Sequence, residues 1–143
     1  AWSFYNSFRE YIGNGQFDLD GTSVGFYMAL HTSAASANIN TKTLSTQASL
    51  ANEVGSGNGY TTGGASVTSR TWASVATDKY RFDSTAVVWT ATGGTIANIK
   101  YAVVYQSGGK LVCFSKLTTS QFTLAEDNTL TVTPSASGIF ELA

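Results

Sequence analysis

The chain has 143 residues, of which 43% are hydrophobic, 13% aromatic and only 12% charged, with a formal net charge of −1 at pH 7. The length suits one domain spanning residues 1–143, and the aromatic content with near-neutral charge excludes an intrinsically disordered chain. Eight basic residues and a pI of ≈ 5.7 argue against electrostatic binding of nucleic acid. No apolar run approaches a membrane span, and a single Cys excludes both an internal disulfide and a Cys-rich zinc site.

The opening Ala1-Trp2-Ser3 carries no Met and no export pattern, as expected of a cytosolic product trimmed of its initiator Met. Cys113 is then expected to be a reduced thiol. Phe4, Tyr5, Phe8, Tyr11 and Ile12 recur at helical spacing. The pattern predicts a helix over 3–12, capped by Ser3 and stopped by Gly13-Asn14-Gly15. Its aromatic face is either the lid of the domain's own core or an anchor for a neighbouring subunit.

Everything after the helix reads as strands. They are expected at 24–31, 67–74, 80–83, 85–90, 99–105, 111–117, 122–124, 129–133 and 138–142. Gln106-Ser107-Gly108-Gly109 is expected to turn one strand into the next as a hairpin, and Glu126-Asp127-Asn128 to do the same between Leu124 and Thr129. Short strands about ten residues apart predict an all-β, jelly-roll-like β-sandwich with a short N-terminal helix. Phe26, Met28, Leu30, Trp89, Tyr101, Val103, Leu111, Cys113, Val132 and Phe140 are the expected core.

Two stretches interrupt the rhythm. Residues 33–50 are polar, small and without period, and in residues 55–64 (GSGNGYTTGG) five of ten are Gly. Loops of this length inside a small domain are either functional or ordered against a neighbour. Tyr60 is an aromatic among glycines, which lets backbone approach another surface closely. It is expected either to fill a partner's pocket or to fold back onto its own sandwich. Asn58, Thr61 and Thr62 beside it, with Thr43 and Leu44 in the earlier loop, complete the candidate partner contacts.

Catalytic signals are weak. His31 is the only His, and a strand-end position is its ordinary reading. The glycine-rich loop lacks the Lys-Ser/Thr and helix start of a phosphate loop. Asp18-Leu19-Asp20-Gly21 has neither the ligand number nor the distal Glu of a calcium loop and reads as turn chemistry. Paired Trp72 and Trp89 suit a sugar platform less well than a core. No catalytic residue, metal or cofactor is expected.

Several segments in order resemble small virion structural proteins of tailed bacteriophages. They are Trp2-Ser3-Phe4-Tyr5-Asn6-Ser7-Phe8, Phe17-Asp18-Leu19-Asp20, Phe26-Tyr27-Met28-Ala29-Leu30, Asn52-Glu53-Val54, Gly59-Tyr60-Thr61-Thr62-Gly63-Gly64, Val88-Trp89-Thr90, Tyr101-Ala102-Val103-Val104-Tyr105 and Gly138-Ile139-Phe140. The resemblance implies a decoration, or cement, protein of jelly-roll type, made in the host cytoplasm and docked on the capsid surface of the virion. Its implied partners are the major capsid protein and further copies of itself, with no nucleic acid and no membrane. A tail or fibre component that binds carbohydrate or a receptor is the alternative.

Overall fold

A computed structural model describes residues 1–20, 23–35, 39 and 41–143. Among them are β1 (Trp2–Phe4), α1 (Asn6–Gly13), β2 (Phe26–Thr32), β3 (Ala65–Ser66), β4 (Thr71–Ala76), β5 (Lys79–Asp83), β6 (Val87–Thr90), β7 (Ile96–Gln106), β8 (Lys110–Lys116), β9 (Phe122–Leu124), β10 (Thr129–Val132) and β11 (Phe140–Leu142). The fold is an all-β sandwich with one short helix near its N-terminus. A six-stranded antiparallel sheet runs β1-β8-β7-β2-β3, with β9 beside the first part of β7. Facing it are a two-stranded sheet, β10-β6, and a three-stranded sheet, β11-β5-β4. The neighbours β2 and β7, β5 and β11, and β6 and β10 lie far apart in sequence, the crossing connectivity of jelly-roll-like sandwiches.

The main core lies between the large sheet and the two small ones. Phe26, Met28, Leu30, Ala102, Val104, Val112 and Cys113 meet Phe82, Val87, Trp89, Val132 and Phe140 there. The large sheet's other face is buried as well, where Tyr5, Ala29, Ile39, Tyr101, Val103, Tyr105, Leu111 and Phe114 form a second cluster covered by Leu44 and Leu50. All ten expected core residues are buried, but they divide between these two faces. Alternation along β7 puts Ala102 and Val104 on one side and Tyr101, Val103 and Tyr105 on the other. An irregularity between Val104 and Tyr105 shifts the β8 pairing, so Val112 and Cys113 both serve the main core.

Three local expectations are corrected. Residues 2–4 form a strand on the edge of β8, so the helix begins at Asn6 after Tyr5, and Ser3 caps nothing. Glu126-Asp127-Asn128 is no hairpin, because β9 pairs β7 while β10 pairs β6. This turn instead crosses between sheets, its Asp127 amide donating to the Ala91 carbonyl and its Asn128 carbonyl accepting from the Ala91 amide. The strand expected at 67–74 is shifted to 71–76. By contrast, Gln106 to Gly109 closes the β7–β8 hairpin as expected.

Helix α1 covers one end of the main core. Phe8 is 1% exposed and lies among Phe4, Phe17 and Phe140, with ring centroids 4.9–5.2 Å apart. The N-terminal segment is therefore a lid on its own domain.

Candidate functional site

The two long loops meet at one carboxylate. Glu53 Oε1 accepts from the Tyr60 hydroxyl at 2.7 Å and from the Gly63 amide at 2.6 Å, while Oε2 accepts from the Gln47 side chain at 3.0 Å. The Tyr60 oxygen in turn accepts from the Leu30 amide of β2 at 3.0 Å. Tyr105 of β7 donates to the Gly63 carbonyl at 2.6 Å. Burial, with the Glu53 hydrogen bond second, pushes the Tyr60 phenol well above its ordinary range, so it stays a donor to the carboxylate.

Residues 57–60 form a tight turn closed by reciprocal Gly57 and Tyr60 backbone bonds, with Asn58 at φ 53° and Gly59 at φ 91°. The left-handed pair is what an Asn-Gly turn supplies. A Cβ on Gly59 would sit 2.0 Å from the Thr90 carbonyl oxygen, and one on Gly64 2.0 Å from that of Met28. These glycines therefore admit the backbone of their own chain, lying flat against the end of β6 and against β2.

The earlier loop is a strap across the second face of the large sheet. The Asn6 amide donates to the Lys42 carbonyl, the Ser7 hydroxyl to the Leu44 carbonyl, the Leu111 amide to the Ser45 carbonyl and the Gln47 amide to the Gly109 carbonyl. Its Leu44 and Leu50 pack into the second cluster.

Of the candidate contacts, Tyr60 is 2% exposed and Leu44 is half-buried in its own domain. Of the two directions expected for Tyr60, it lies folded back onto its own sandwich, where Glu53 and the Leu30 amide hold its hydroxyl. Asn58, Thr61, Thr62 and Thr43 are exposed. Asn58 lies in the tight turn and Thr61 and Thr62 directly after it, and Thr43 belongs to the strap; the Gln47–Glu53 bond ties the two segments together. Sequence reasoning gave Glu53 no role. It is the only charged residue between Lys42 and Arg70, and that isolation was the available signal.

Beside the turn lies a cleft of about 270 Å³ between residues 54–58, Thr32 and residues 95–98. Its lining carries hydroxyls, amides and backbone but no charged side chain. The Asn58 side chain spans part of it, donating to the Thr95 carbonyl at 2.8 Å. On the turn's outer surface Ser56 and Thr62 hydroxyls are 2.8 Å apart, and the Thr62 amide donates to Ser56 Oγ. Such a surface presents neutral donors and acceptors on a rigid frame.

His31 is fully buried at the end of β2, its Nδ1 3.1 Å from the Ala51 carbonyl. Desolvation lowers its pKa, although the Ala51 bond and nearby Glu53 act in the opposite direction. The ring is therefore neutral, with the proton on Nδ1 and, among the described residues, no hydrogen-bond partner at Nε2. Burial likewise raises the pKa of the fully buried Cys113 thiol. Among the described residues no cluster of three His, Cys, Asp or Glu could hold a metal. Asp18 serves a turn, accepting from the Ser23 hydroxyl at 2.7 Å; Gly21 of that expected turn lies outside the described residues.

No protein-family model, curated protein or solved structure matches the chain.

Proposed function

We propose that the chain is a virion structural protein that binds and stabilises a bacteriophage capsid shell as a decoration protein. The order of motifs along the sequence suggests this class. One structural observation supports it best: both long loops are fixed by their own chain through Glu53 and the strap bonds, yet present exposed Asn58, Thr61, Thr62 and Thr43 outward. A hydroxyl-rich surface held by its own chain, with Lys42 its charged neighbour, docks with little ordering cost and modest dependence on salt. The partner is the major capsid protein.

Shells lacking the protein provide the test. Purified chain added to them should bind saturably, raise their melting temperature and remain bound in high salt. Thr61→Arg together with Thr62→Arg should reduce occupancy while leaving the free domain's melting point nearly unchanged. Absence of binding, or unimpaired binding of the double variant, would contradict the role given to this surface.

A glycan-binding tail or fibre role has one feature in its favour. Trp72 and Tyr80 lie 5.4 Å apart between centroids, and Tyr80 is 47% exposed. Burial of Trp89 and Tyr60 removes the wider aromatic platform that such a role would use.

A further inference from the structure

His31 is fully buried, and among the described residues nothing bonds its Nε2 while Nδ1 meets the Ala51 carbonyl. A buried polar atom without a partner costs stability. Several groups around the ring are charged or titratable. An isolated bridge sets Glu53 directly opposite His31 on one side, and β7 sets Tyr101 opposite it on the other. Lys116 of β8 follows in the same row, opposite Tyr101, and the Lys100 ammonium lies 5.6 Å from the Tyr101 ring centroid. Lys42, the charged residue of the strap, sits beside α1, where its carbonyl accepts from the Asn6 amide. Directly opposite residues of an antiparallel pair point to one face, with Cβ atoms about 5 Å apart. Glu53 is thus the anion beside the His31 ring, and its field favours a proton there.

The same carboxylate joins the two loops. Its Oε1 accepts from Tyr60 and Gly63, whereas Oε2 accepts from the neutral Gln47 amide of the strap. We propose that His31 is a proton-operated switch on this joint: when Nε2 takes up a proton from solvent, it donates to Glu53 Oε2 and displaces Gln47. A charge-assisted hydrogen bond is about twice as strong as a neutral one, so the imidazolium outcompetes the amide. Tyr60 and Gly63 keep Oε1, and the turn stays closed. What is lost is the side-chain tie between strap and turn, so Thr43 is no longer framed with Thr61 and Thr62. Burial, rather than the two lysines near Tyr101, holds the transition below pH 6.5. The switch belongs to the free chain and does not rest on the capsid reading.

The test is an NMR titration of the whole chain from pH 7.5 to 4.5, following the His31 Cε1–H and the Gln47 side-chain amide. Both should titrate together, with one midpoint below 6.5. In His31→Gln the Gln47 response should vanish. Gln47→Ala removes the competitor, so His31 should bind its proton about three-fold more tightly or better, and its midpoint should rise. A His31 ring that titrates while the Gln47 amide stays still overturns the proposal. So does a Gln47 response that survives in His31→Gln, which would belong to Glu53 itself, or a Gln47→Ala midpoint that is unchanged or lower. A ring that stays unprotonated until the whole domain unfolds overturns it as well. If His31→Gln does not fold, the Gln47→Ala midpoint decides.

Discussion

Glu53 joins two loops through three hydrogen bonds, and its worth is set by what it receives. A carboxylate taking hydrogen bonds from Tyr60, Gly63 and Gln47 fixes two long loops without a metal or disulfide between them. Tyr60→Phe retains the ring but deprives the Leu30 amide of its acceptor and Glu53 of a donor. That variant should lose about 1–3 kcal/mol, read from its urea midpoint at constant slope. A change within error would show that water replaces the hydroxyl freely. The importance of Tyr60 was legible in the sequence, whereas its direction was not. Its partners Glu53 and Leu30 come from separate segments, and only the fold brings them together.

His31 gives stability a pH dependence whose sign follows from burial. Its folded pKa lies below the ordinary 6.5, so above that pH neither state binds a proton there and nothing is lost. As pH falls through 6.5 the unfolded chain takes up a proton that the folded chain resists, and stability declines until the folded pKa is reached. The urea midpoint should therefore fall between pH 7.5 and 5.5. In His31→Leu it should fall less over the same interval; an equal fall in both would assign the dependence to other groups.

At the scale of elements, the all-β class, the β7–β8 hairpin and the identity of the core residues were legible from alternation and turn chemistry. Which face each core residue occupies was not. The polar composition of residues 33–50 hid the strap's role, because among its described residues Ile39, Leu44 and Leu50 pack on the sheet while the backbone carries most of the bonding. The opening strand was concealed for a related reason: the spacing of Phe4, Tyr5 and Phe8 fits a helix, but pairing with the β8 edge overrides that local preference for residues 2–4. Val103 tests the strap. It is fully buried in the second cluster, away from the sandwich interior. Val103→Ala should cost about 1–3 kcal/mol by equilibrium unfolding, as in a closed core. A cost near zero would mean that the strap leaves this face open.

The whole molecule is a sandwich with a third layer: small sheets on one face of the large sheet and a strap on the other. Backbone bonds and the Glu53 carboxylate hold the described parts of its two long loops, which suits the proposed role on a repeating lattice. The central claim is that this lattice is a capsid shell, and copy number in purified particles tests it most directly. Quantitative mass spectrometry against the major capsid protein should find hundreds of copies per particle, in fixed proportion to the shell subunits. A number at or below a few dozen, matching tail or fibre symmetry, would contradict the capsid assignment.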